Sequence, residues 1–158
     1  MRTHAVKPEA EIRRLLPGAQ FADAFRLEVA DPSLDARRAA ERVIGCSPQW
    51  IDMLLTLRNM VVAPFGLHTQ GPPDQANHGM LGIFPVISQT PDRVVAGFDD
   101  KHLDFRIVVD VSTPAARRNV TLSTVVLTHN LLGRAYLATI LPFHKLIAQT
   151  MLRQLAKA

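Results

Sequence analysis

LLGRAYLATILPFHKLIAQTMLRQL, residues 131–155, is the stretch that decides the fold. Leu132, Tyr136, Ile140, Phe143, Ile147 and Met151 recur at spacings of 4, 4, 3, 4 and 4, which is the period of one apolar face of a helix. About 25 residues at ~1.5 Å each make a rod of roughly 38 Å. Pro142 lies inside the stripe and removes one backbone hydrogen bond, so a kinked helix is expected there rather than two separate ones.

Upstream the period changes from helical to two. His102, Asp104, Arg106 and Asp110 alternate with Leu103, Phe105, Ile107, Val109 and Val111, the clearest strand in the chain. Residues 119–129 are rich in β-branched side chains and give another. Shorter runs at 80–88 and 93–99, separated by Thr90-Pro91-Asp92, read as two more, with Pro85 suited to an edge or a bulge. Phe21, Asp23, Phe25, Leu27 and Val29 alternate with Ala22, Ala24, Arg26 and Glu28, forming a first strand.

Two short helices follow that strand. One covers 34–44 and stops at Gly45; the other starts at Ser47-Pro48 and runs to about Ala63. Residues 68–79 form a polar loop rich in Gly and Pro, the best lid candidate. A sheet whose helices are segregated must bury its apolar face, and only the last helix is long enough to cover it. The expectation is an α+β helix-grip fold, in which a curved antiparallel sheet wraps around a long C-terminal helix. One domain spans 1–158, with 1–18 as an N-terminal arm.

Composition fits one globular domain: 158 residues, 47% hydrophobic and 20% charged. Cys46 is the only cysteine, so neither an intramolecular disulfide nor a thiolate cluster can form. No apolar run suits a signal peptide or a membrane span, which makes the cytoplasm the expected location. All 14 acidic residues precede Val111, while Arg117, Arg118, Arg134, Lys145, Arg153 and Lys157 follow it. No aromatic residue interleaves Arg117 and Arg118, so nucleic acid is not expected as a partner.

Three runs carry a family resemblance: LRNMVVAPFGL at 57–67, GFDDKHLDFRI at 97–107 and THNLLGRAYLATILPFHKLI at 128–147. In these the chain resembles the bacterial domain of unknown function 2867, within the Bet v 1-like, START-related (SRPBCC) superfamily. The resemblance implies a helix-grip fold with a cavity for hydrophobic molecules, used by some members for transport and by others for cofactor-free cyclisation or hydrolysis. It also suggests an oxidoreductase partner, since related domains look like appendages of such enzymes. This chain has no GxGxxG of its own and so carries no such partner within it; no cofactor is expected. Fold does not settle function.

The residues narrow the possibilities. On the second short helix, Ile51, Leu54, Leu55, Val61 and Val62 share a stripe with Arg58 near its centre. A guanidinium there needs a partner. It pairs either with Asp99, Asp100 or Asp104, or with the acidic head group of a ligand. Tyr136 lies within the stripe of the last helix and His144 at its edge, each either satisfied locally or lining a cavity. The expected lining is Leu54, Arg58, Phe105, Tyr136, Ile140, Phe143 and His144.

Asp100, His102, Asp104 and Arg106 share one strand face and form either an exterior ladder or an inward cluster near Arg58. No spacing supplies a metal site. The reading is therefore binding of a small hydrophobic, possibly acidic ligand between sheet and helix. One alternative is a cofactor-free cyclase- or hydratase-like enzyme with Tyr136 as proton donor and His144 or Asp104 as base. The other is an accessory domain that docks a protein or a second copy of itself.

Overall fold

The alternating runs become strands. The computed structural model describes residues 3–44, 79–81, 84–99, 103–112 and 117–157. Its strands are β1 (His4–Val6), β2 (Phe21–Val29), β3 (Met80–Leu81), β4 (Phe84–Gln89), β5 (Arg93–Asp99), β6 (Leu103–Val111) and β7 (Arg118–Thr128). They form one open antiparallel sheet in the order β1-β2-β7-β6-β5-β4-β3. Strands β3 to β7 are a simple meander. The long excursion between β2 and β3 lets β2 lie against β7, in register from Phe21↔Val126 to Val29↔Arg118. Pro85 sits in the penultimate strand, opposite Met80 of the short edge strand, and the register shifts just beyond it between Val86 and Ser88. A residue without an N–H is tolerated where the ladder is already irregular.

The helices are α1 (Ala10–Arg13), α2 (Ala36–Ile44) and α3 (Leu131–Arg153), the last continued by a 3-10 turn over Gln154–Lys157. Asp35 starts α2, its carboxylate accepting the Arg38 N–H at 2.8 Å. Asn130 does the same for α3, accepting from the Gly133 N–H at 3.0 Å. Pro142 lies within α3, which stays one helix as the stripe requires.

Strand alternation gives the sheet two covered faces. The inner one carries Phe25, Leu27, Val109, Val111, Val120 and Leu122 against α2 and the C-terminal half of α3, where Ala148, Met151 and Leu152 are buried. The outer one carries Val95, Val108 and Val125, and here Ile12 of α1 and Leu16 just beyond it form the cover. The N-terminal residues, expected as an arm, thus supply an edge strand and the lid of a second small core. Their short length hides this in the sequence, because four helical residues make too little periodicity to read.

The apolar stripe of α3 is turned from the one the spacing suggests. Gly133, Ala148, Met151 and Leu152 are buried, whereas Phe143 is 58% exposed. The expectation that Phe143 faces the sheet is corrected by this placement. The helix is apolar over much of its circumference, so docking selects the face with the small residues Gly133 and Ala148, which lets the rod approach the strands closely. Among the described residues no helix is long and apolar enough to cross a membrane. The second short helix, Cys46 and residues 68–78 of the loop lie outside the described residues.

Candidate functional site

Beneath α3 the inner face changes character along the helix axis. Under the C-terminal half it is a closed aliphatic core. Under the N-terminal half, Leu103 and Val126 are buried, but Phe21, Phe84, Phe105 and Tyr136 around them are only half-buried. Phe84 and Phe105 meet with ring centroids 5.4 Å apart. Their strands are β4 and β6, so the aromatic group spans the sheet from β2 to β4 and is roofed by Tyr136 and Leu137.

Two polar features interrupt this apolar surface. Asp23 follows the inward-facing parity of β2 and stands in register with buried Thr124. His144 descends from α3 to meet it, with Nε2 3.1 Å from each carboxylate oxygen. With the carboxylate as acceptor, Nε2 is the donor, and in the neutral tautomer that fits this contact the lone pair lies on Nδ1. Phe21 and the imidazole meet in a T-shaped arrangement, with centroids 5.3 Å apart and planes at 89°. The pair sits where the closed core gives way to the aromatic group.

The second feature is Thr128, on the inward-facing side of β7 and in register with Leu103. Its backbone is fully engaged, since the N–H donates to Gln20 at 2.8 Å and the carbonyl accepts from Gln20 at 3.2 Å. Its hydroxyl is buried and has no hydrogen-bond partner among the described residues. Leaving a buried hydroxyl unpaired costs about 1–3 kcal/mol.

The sequence-derived residues divide accordingly. Phe105 and Tyr136 come together in the aromatic group, His144 lies beside it paired with Asp23, and Ile140 is half-buried between them along α3. Phe143 points to solvent. Asp104 follows the outer parity and bonds His129 at 3.0 Å, at the far side of the sheet from the aromatic group. Arg106, also outward, is paired with Asp99 at 2.8 Å. For these two residues the exterior ladder describes the arrangement. Arg58, Leu54, Asp100 and His102 lie outside the described residues. Among the described residues no group of His, Cys, Asp and Glu is arranged to hold a metal ion. Sequence reasoning missed Asp23 and Thr128. An acid on the apolar parity of a strand was the available signal for Asp23; nothing local marks Thr128.

On the outer face, Arg93 bonds Asp110 and also meets Glu11 at 3.1 Å and Glu9 at 3.8 Å. Burial pushes the Asp110 carboxyl above its ordinary value of 3.8; Glu9 and Glu11 push the same way and Arg93 opposes them. The native state therefore binds the Asp110 proton more tightly than the unfolded chain. This group's contribution to stability is fullest below pH 3.8 and is lost as pH rises through its raised native value. D110N is expected to flatten that descending limb. Melting temperature measured across the acid range checks it, and an unchanged limb would show that other carboxylates carry it.

A family model described as protein of unknown function (DUF2867) matches residues 15–151. The match covers all of β2 through β7 and nearly all of α3. No curated protein matches this chain, and no solved structure does.

Proposed function

The chain belongs to the DUF2867 family, and from that premise we propose that it binds a small hydrophobic ligand carrying an acceptor group, between the sheet and the N-terminal half of α3. The unpaired Thr128 hydroxyl is the observation that carries the reading. It stands on the same sheet face as a half-buried aromatic group, where a guest would regain apolar contact and supply the missing hydrogen-bond partner. Phe21, Phe84, Phe105 and Tyr136 offer flat apolar surface, which favours a planar ligand such as an aromatic carboxylic acid. The finer helix-grip likeness to START-related carriers belongs to this reading. So does the role expected for Arg58 as a second contact for an acidic head.

Two variants test it. T128V removes a hydroxyl without a partner among the described residues, so the unliganded melting temperature should stay level or rise. Stabilisation by a panel of aromatic and fatty acids should fall with it, as RT ln(1 + [L]/Kd) requires when Kd rises. Y136A should weaken the same ligands. If no acid in the panel raises the melting temperature, and native mass spectrometry finds no retained molecule, the reading fails.

The His144–Asp23 pair supports a second reading, a cofactor-free enzyme. A carboxylate that orients an imidazole and fixes its tautomer leaves Nδ1 as a base. H144Q would then change the pH profile of turnover; an unchanged profile removes His144 from any mechanism.

A further inference from the structure

The outer face of the sheet holds a pocket of about 190 Å³, opposite the face covered by α3. Its back wall is one row of side chains across four strands. Arg93 pairs with Asp110, Asp110 with Thr121, and Thr121 with Arg26. The next row supplies the floor through Ala24 and Ser123, opposite each other in the β2–β7 pairing. Two small side chains side by side leave a hollow that larger ones would fill. Residues 7–9 and Ile12 close the front.

The polar groups of this pocket are unevenly satisfied. At one end Arg93 is surrounded by Asp110, Glu11 and Glu9, three carboxylates against one guanidinium. At the other, Arg26 is half-buried, and its Nε donates to Thr121 Oγ1 at 3.2 Å. No carboxylate among the described residues pairs with Arg26, which leaves its two terminal amino groups for a ligand. Ser123 is 2% exposed and lines the hollow. Lys7 adds a second cation to the rim.

We propose that this pocket binds a small zwitterion of the amino-acid class. The carboxylate lies against the terminal amino groups of Arg26 with the Ser123 hydroxyl donating to it, and the ammonium lies toward Glu9 and Asp110. A guanidinium presents its amino groups in the planar fork that fits a carboxylate. The excess of acid around Arg93 disfavours a dianion such as phosphate and favours a ligand with a positive end. At ~30 Å³ for each water, the volume equals about six waters, the size of a compact metabolite. This site is separate from the one under α3, and neither depends on the other.

The test is a ¹H–¹⁵N NMR titration of the full chain with the common α-amino acids, using acetate, ethylamine and inorganic phosphate as controls. At least one amino acid should produce saturable shifts at residues 24–26 and 121–123, stronger than any control. R26Q should weaken it by about ten- to a hundredfold, as loss of a hydrogen bond to a charged group does. S123V should block the hollow, and R26K keeps the charge while losing the fork, so a dispersed spectrum of either provides a folded comparison. The proposal is overturned if no amino acid produces saturable shifts there, if R26Q binds as the parent does, or if acetate or phosphate binds as tightly as the best amino acid.

Discussion

Replacing Gly97 by alanine should remove a large share of the stability of the fold, a loss of more than about 3 kcal/mol out of the ~5–15 kcal/mol available to a domain. Gly97 lies in the middle of β5, opposite Arg106 of β6. Its φ of +150° is one that residues with a Cβ rarely adopt. An added Cβ would stand 2.0 Å from the carbonyl oxygen of Phe105 and 3.1 Å from the Arg106 Cα, both backbone atoms of the adjacent strand. No side-chain rotation relieves such an overlap. The two strands must separate, breaking ladder hydrogen bonds and displacing Phe105 from the aromatic group beneath α3. Urea unfolding followed by circular dichroism measures the effect. A G97A midpoint within about 1 kcal/mol of the parent would mean that β5 and β6 approach less closely than described.

Leu152 and Phe143 provide the second large effect as a contrast. Leu152 is wholly buried in the main core, where α3 meets α2 and β2, whereas Phe143 is 58% exposed. L152A should cost about 2–5 kcal/mol, the lost transfer free energy plus the cavity left behind. F143A should stay within about 0.5 kcal/mol, as exposed substitutions do. Both should leave the denaturant slope unchanged if unfolding stays two-state. The reverse order would rotate α3 to the face that the 132–136–140–143–147 spacing suggests. The contrast thus tests which side of the helix grips the sheet, and with it the placement of Tyr136 and His144.

Much of the candidate site was legible one element at a time. The alternation of β6 separates Phe105 from Asp104 and Arg106, and the structure keeps that separation: Phe105 joins the inner aromatic group, while Arg106 meets Asp99 outside. Tyr136 on the inner side of α3 follows from its spacing. His144 was named as a candidate, but its partner was not, because Asp23 is 121 residues away. An ion pair across that distance leaves no local trace beyond a charged residue at an apolar-parity position. Ser123 and Thr128 read simply as parts of a β-branched strand. Thr128 matters because its hydroxyl has no partner among the described residues, and Ser123 because it lines a hollow; both are recognised only once the neighbours are in place.

Local periodicity by itself determined the kinds of element and their order: β2, the meander ending in β7, and one long terminal helix that had to cover them. Each follows from side chains a few residues apart, which the backbone brings to one face whatever the rest of the chain does. Tertiary structure alone decided that β1 and β2 extend the sheet beyond β7, that α1 seals a second core on the outer face, and which side of α3 is buried. It also placed a carboxylate under His144 and a hollow beside Arg26. These outcomes rest on competition among distant segments for the same surface, and α3 offers enough apolar positions around its circumference that only packing against the actual strands could choose among them.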